Sequence, residues 1–360
     1  MTKRRNFIQG FTALSSLSLA SCGWRLADVR ANTNSGRTDQ LYIYTWTQYS
    51  DQKLLQTFST QTGMKVLVDP YDSNESMLAK LQAGGGGAYS LIYPSDYMVQ
   101  KMVDKNLLVE LKHDRLIGLD HLFPQFQNPT YDPKNRYSIP FNWGTTGLLY
   151  NSEVLKQAPE DWDYLWQNKA ILNKRMTLLN DVREVMGGVL KMLGYSYNSQ
   201  NDNEIKQAYQ KLTELKPAIA AFDTDAWQNQ MLAGDLILAM CYSADAIRVS
   251  KENSKLKYVI PRSGSSLWTD TMVIPKSAPN QDGAYAWINF LLQPEIAATI
   301  TQRLKIATPN RAGFELLPEQ IKNNTNFFPP DDLLAKCERI SPLGQFEEVY
   351  DRYWTKLTSS

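Results

Sequence analysis

Apolar positions in this chain alternate between strand-like runs and helical spacing, and the changes predict its elements. Leu41-Tyr42-Ile43-Tyr44-Thr45-Trp46 is a dense apolar and aromatic run that predicts a strand. Over residues 51–62, Leu54, Leu55 and Phe58 fall at helical spacing, and Gly63 supplies the stop. Lys65-Val66-Leu67-Val68 is the next strand, residues 76–83 form a short helix, and Ser90-Leu91-Ile92-Tyr93-Pro94 is a third strand leading into a helix from Ser95. Strand and helix in regular alternation predict a largely parallel sheet.

Residues 138–151 read as one extended stretch, and a second α/β pattern follows. It has a strand at 176–179, helices at 182–193 and 204–215, and strands at 236–242 and 257–260. A strand at 271–275 precedes an amphipathic helix over 281–292, with Ala284, Trp287, Ile288 and Leu291 on one side. The last fifty residues are mostly helix and loop, broken at Pro329-Pro330. Crossings near 148 and 270 divide the chain into lobe 1, residues 40–148 and 271–310, and lobe 2, residues 149–270 and 311–360.

The N-terminus changes where this pattern is expected to work. Lys3-Arg4-Arg5, a short apolar run and Leu19-Ala20-Ser21-Cys22 have the layout of an export leader over residues 1–21. The Leu-Ala-Ser-Cys end resembles a bacterial lipobox, which implies cleavage before Cys22 and acylation of its thiol. Arg4-Arg5-Asn6-Phe7-Ile8 also resembles a twin-arginine signal, and the export route stays open. The run contains Asn6, Gln9 and several serines, too short and polar for the roughly 20 apolar residues of a spanning helix. Residues 22–39, with Asn32, Asn34, Ser35 and Gly36, read as a flexible tether. A periplasmic, membrane-anchored lipoprotein is the expectation.

Composition mainly excludes. Without the leader's Lys3, Arg4 and Arg5, 35 of the 38 basic residues face 37 acidic ones, so no cationic face for nucleic acid is implied. About 340 residues are too many for one ordinary core and suit two lobes. Cys241 and Cys337 are either a disulfide or two buried hydrophobes. His113 and His121 have no metal-ligand spacing, and neither a metal nor a cofactor is expected. No Gly-x-Ser-x-Gly elbow or phosphate loop is present, and Gly84-Gly85-Gly86-Gly87 reads as a turn. Catalysis would have to rest on carboxylates alone, so a non-enzyme is expected.

Aromatics and acids coincide with strand ends. Trp46 and Tyr49 follow the first strand, Ser95-Asp96-Tyr97 the third, Asp181 and Glu184 the first strand of lobe 2, and Trp268-Thr269-Asp270 lie at the second crossing. Ligands of open parallel sheets bind outside the carboxyl ends of the strands, so these residues are expected to face one cleft. Helix N-termini there favour anions, and acids at the same ends reverse that preference. Plainer roles compete: Asp181 and Glu184 match a capping box, Ser95 an ordinary helix cap, and Trp46 and Trp268 core residues. Asp270 is harder to explain away, because a buried carboxylate needs a cation or an arginine.

These blocks together are similar to the spermidine/putrescine-binding proteins of bacterial polyamine ABC importers, over about residues 41–357. The similarity is carried by Tyr44-Thr45-Trp46-Thr47-Gln48-Tyr49, Tyr71-Asp72-Ser73-Asn74-Glu75, Tyr93-Pro94-Ser95-Asp96-Tyr97, Ile139-Pro140-Phe141-Asn142-Trp143-Gly144, Asp181-Val182-Arg183-Glu184-Val185, Trp268-Thr269-Asp270 and Thr308-Pro309-Asn310. The resemblance implies a two-lobed α/β periplasmic-binding-protein fold of type II, each lobe a mainly parallel sheet flanked by helices, hinged on two crossover strands. It implies Trp46, Tyr97 and Trp268 as walls of an aromatic box, and Thr47, Ser95 and Asp270 around one terminal ammonium. Asp181 would take an inner amine, Glu184 the far amine, and Tyr49 the floor, with Tyr242 where the family has tryptophan. It also implies ABC permease subunits as partners of a monomer.

Two departures touch the far amine: Lys305-Ile306-Ala307 replaces a tyrosine, and no glutamine stands around residues 337–342. Putrescine against spermidine is therefore open, leaning to spermidine because Asp181 and Glu184 are both kept. The alternatives are another organic cation such as thiamine in the same fold, or an extracellular carboxylate-based carbohydrate-active enzyme.

Overall fold

The structure is a computed structural model that describes residues 39–359 apart from Ser50 and Asp72. The expected leader, Cys22 and nearly all of the tether lie outside the described residues.

Nine strands form the framework: β1 Gln40–Trp46, β2 Lys65–Tyr71, β3 Leu91–Ile92, β4 Ser138–Asn151, β5 Met176–Leu178, β6 Ile219–Phe222, β7 Leu238–Tyr242, β8 Leu256–Val259 and β9 Leu267–Val273. Their order is β2-β1-β3-β9-β4-β7-β5-β6, with β8 also paired to β4. β4 is buried along all but its last residue, so its sequence shows no alternation of apolar and polar positions, and the polar Ser138, Asn142, Thr145 and Thr146 are buried with the rest. Its first half pairs with β9, from Ser138–Val273 to Thr145–Leu267. Its second half pairs with β7 and β8. One strand thus passes from the first sheet into the second.

The expected parallel pairing holds within each lobe, where β1 joins β2 and β3 and β5 joins β6 and β7. It gives way at β4, β8 and β9, whose pairings are antiparallel. Local alternation encodes the crossover units, and the strands that travel between lobes fall outside that pattern.

Separate cores lie beneath the two halves. One gathers Leu41, Phe58, Leu91, Ile139, Trp287 and Ile288, and the other Leu148, Leu165, Met186, Leu190, Leu212 and Leu238. The helix Glu347–Ser359 sets Tyr350 and Leu357 into the second core. Phe314 meets Phe123 at 5.6 Å between ring centres, and Phe328 meets Trp143 at 6.2 Å, so this part of the C-terminal region packs on the first.

Helix ends follow local chemistry. Asp51 caps helix Gln52–Thr62 by accepting from the Lys53 and Leu54 amides, and Gly63 closes it at φ 74°, a left-handed conformation that glycine adopts without strain. The glycine run forms a short turn over Gly85–Ala88. Cys241 and Cys337 are free thiols, Cys241 buried and Cys337 packed against the same apolar cluster.

Candidate functional site

Strand β9 delivers Asp270 to the meeting of the two halves, where it is 6 % exposed. Its Oδ1 accepts from Ser95 Oγ at 2.7 Å, and its Oδ2 accepts from the Tyr49 hydroxyl. Asn74 holds Ser95 from behind: its amide oxygen accepts from the Ser95 N–H and its amide nitrogen donates to Ser95 Oγ, each at 3.1 Å. Ser95 stands at the start of helix Asp96–Asp104 but makes no side-chain cap, because its hydroxyl is turned to Asp270. Burial raises the Asp270 carboxyl to about 6, against the pull of the two hydroxyl donors. Asp270 thus meets hydroxyls where an arginine or a cation was expected.

A second acidic centre begins helix Val182–Met192. Asp181 caps it, Oδ1 accepting from the Arg183 amide at 2.9 Å and the Glu184 amide at 3.1 Å, while the Tyr242 hydroxyl approaches Oδ2 at 3.5 Å. Only the Asp181 half of the expected capping box forms through these bonds. Glu184, 2 % exposed, turns inward and accepts from Ser266 Oγ at 2.7 and 2.9 Å and from Tyr197 at 3.0 Å. Burial pushes Glu184 up to about 8, and the neighbouring Asp181 charge adds to it. Burial likewise raises Asp181. Arg183 directs its guanidinium to the Ser341 carbonyl at 3.0 Å and the Asn198 amide oxygen at 2.8 Å.

Rings link these centres. Trp46 lies 4.6 Å from Tyr71, and Tyr242 meets Trp268 edge-on at 5.9 Å. Tyr49 lies 5.3 Å from Phe141 and 6.4 Å from Tyr93. Tyr97 donates to Glu75 Oε1 at 3.0 Å and feels the charges of both Glu75 and Asp181. The Trp46 and Trp268 indole nitrogens are buried without a hydrogen-bond partner; both residues are partly buried, and Trp46 also packs against two apolar clusters of the first half. Thr47 is exposed on the turn Thr47–Tyr49.

Sequence reasoning missed Asp245. It lies in the first turn of helix Ser243–Glu252, immediately after β7, and is 8 % exposed. Burial raises it to about 6 although Arg248 opposes the shift, and its charge reaches Tyr49. Arg248 donates to both Asp245 and Gln48, joining the turn after β1 to the helix after β7. An acid just past a strand end was the signal that found Asp181, and Tyr242-Ser243-Ala244-Asp245 carries it too.

Two α/β lobes joined by crossing strands, with buried acids and rings where they meet, define the class of two-lobed solute-binding proteins. Residues 53–329 match the family model described as bacterial extracellular solute-binding protein. The chain belongs to that family. It is 35% identical over 320 residues to the spermidine/putrescine-binding periplasmic protein of Salmonella typhimurium, covering 89% of this chain and 91% of the relative. Among solved structures it is similar to the spermidine/putrescine ABC transporter substrate-binding protein PotD of Streptococcus pneumoniae, with 37% identity, a TM-score of 0.81 and coverage of 89% and 99% of the two chains. The TpPotD lipoprotein of Treponema pallidum matches at 29% identity with a TM-score of 0.80, covering 89% of this chain and 100% of that one.

Proposed function

We propose that this protein captures a polyamine outside the cytoplasmic membrane and hands it to the permease of an ABC importer, without catalysis. One observation carries the proposal. Asp270 and Glu184 are buried, raised by burial, and hydrogen-bonded by hydroxyls, with no salt bridge to either among the described residues. Buried carboxylates of this kind gain most from a guest that brings its own positive charge. The names of the relatives support the same class of guest.

In this proposal Asp270, with Ser95, Tyr49 and Thr47, receives one terminal ammonium. Asp181 takes an inner amine and Glu184 the far one, while Trp46, Tyr97, Tyr242 and Trp268 flank the methylenes. A cation over a ring contributes about 0.5–2 kcal/mol and a hydrogen bond to a charged group about 1.5–3 kcal/mol. Several of each offset the ordering of a flexible guest and leave roughly micromolar binding, near −8 kcal/mol. The lean to spermidine rests on the two acids Asp181 and Glu184.

The lobes are proposed as 40–148 with 271–330 and 149–270 with 331–360; residues 311–330, expected in lobe 2, join lobe 1 because Phe314 and Phe328 pack there. Acylation at Cys22 and a monomeric state complete the proposal. Calorimetry of the mature protein against putrescine, spermidine, spermine, thiamine and a disaccharide tests it. Heat with the polyamines alone supports it; thiamine or sugar binding in their place would overturn it.

A further inference from the structure

Arg339 lies in the C-terminal segment, outside every element that supplies a proposed ligand contact. That segment is held in place from two sides. Leu267 donates its N–H to the Glu338 carbonyl at 2.8 Å, Glu338 donates to the Ser265 carbonyl at 2.9 Å, and Asn198 Nδ2 donates to the Arg339 carbonyl at 2.8 Å. The side chain runs across the Tyr131 and Phe126 rings, 5.4 and 5.8 Å from their centres. Its Nη1 donates to Asp96 Oδ2 at 2.7 Å and to Thr269 Oγ1 at 2.6 Å.

Those two partners are sequence neighbours of Ser95 and Asp270, which bond each other. Asp96 is 2 % exposed, so its charge is not screened by water. We infer that Arg339 is a positioning residue for cation capture: by pairing with Asp96 and tying Thr269, it keeps a second buried negative charge from competing with Asp270. The inference rests on the polyamine proposal for its purpose and on this geometry for its mechanism.

The charged and titratable groups facing Asp270 and Asp96 come from six places. They are Tyr49 after β1, Tyr71 in β2, the two acids themselves on β9 and helix Asp96–Asp104, Tyr131 in the loop before β4, and Arg339. Asp96 raises Asp270 even with the arginine in place, and the tyrosines stay neutral in the range of interest.

The test is the carboxyl carbon-13 titration of Asp270 by NMR in the ligand-free mature protein, alongside spermidine affinity from pH 5 to 8. Arg339→Met is expected to move the Asp270 midpoint up by about one pH unit, a tenfold loss of affinity on the acid limb. Asp96→Asn, which leaves the arginine unopposed, is expected to move it down, and the double variant to return it toward wild type. Shifts of opposite sign cannot come from a merely structural role. If Arg339→Met does not fold, the downward shift in Asp96→Asn alone decides. An unmoved midpoint in either folded single variant, or shifts of the same sign in both, would overturn the inference. The titration needs no ligand, so a protein that ignored polyamines would sink the functional proposal and leave this test standing.

Discussion

Replacing Asp270 by asparagine removes a charge and little else. The amide has nearly the same volume; its oxygen can accept from one of the two hydroxyls, Ser95 or Tyr49, and its NH2 can donate to the other once that hydroxyl turns to accept. Folding stability has a definite sign. The folded carboxyl sits at about 6 against an ordinary 3.8, so its burial costs nothing below the unfolded value and the full amount above pH 6. Two units correspond to at most about 3 kcal/mol, so ligand-free Asp270→Asn melts no lower than wild type at pH 7.5. Binding moves the other way. Losing one hydrogen bond to a charged group costs about 1.5–3 kcal/mol, or roughly 10- to 150-fold in spermidine affinity. Below pH 6 the wild type must also deprotonate Asp270 to bind, which adds about tenfold weakening per pH unit that the variant lacks. Calorimetric titrations from pH 5 to 8, with melting curves at each pH, measure both effects. Wild-type affinity in the variant at pH 7.5, or an unchanged acid limb, would refute the assignment; so would a variant that lost binding by melting early.

Three further outcomes follow from the same site. With Glu184 raised to about 8 beside Asp181, spermidine binding at pH 7 should release about one proton from the pair, seen as a binding heat that varies with the buffer's ionisation enthalpy; Glu184→Gln should abolish most of that variation. A Cβ at Gly144 would lie 2.4 Å from Trp268 Cζ2 and 2.5 Å from Ser243 Oγ, so Gly144→Ala should displace the Trp268 wall, change tryptophan fluorescence and weaken binding about tenfold or more, whereas an unchanged affinity would remove Trp268 from the wall. Added salt should slow association with spermidine markedly and that of a neutral guest hardly at all, which stopped-flow fluorescence can compare.

The sequence revealed the parts of the site that local patterns encode. Strand β1, helix Gln52–Thr62 and its Gly63 stop follow from residues within a few positions of one another. Placing acids and rings at strand ends picked out Asp181, Trp268 and Asp270, which do share hydrogen-bonded or ring contacts with other candidates, Tyr242 and Tyr49. The direction of each side chain was not legible. Ser95 suits a helix cap, yet it bonds a carboxylate 175 residues away, and Glu184 turns to Ser266, 82 residues away. Such choices depend on which groups the folded chain leaves unsatisfied, and no local pattern contains that. Strand β6 escaped for a simpler reason: its sequence is Ile-Ala-Ala-Phe, and its two alanines are exposed. Arg339 escaped because an arginine in a tail reads as a solvated charge until the fold sets Asp96 against it.

A crystal structure of the mature protein with spermidine tests the cleft most directly. The expected map shows one terminal nitrogen within about 3 Å of the Asp270 carboxylate and another charged nitrogen beside Asp181 and Glu184, with Trp46 and Trp268 along the methylenes. Spermidine bound elsewhere, with Asp270 still closed on Ser95 and Tyr49 and Glu184 still closed on Ser266 and Tyr197, would contradict it.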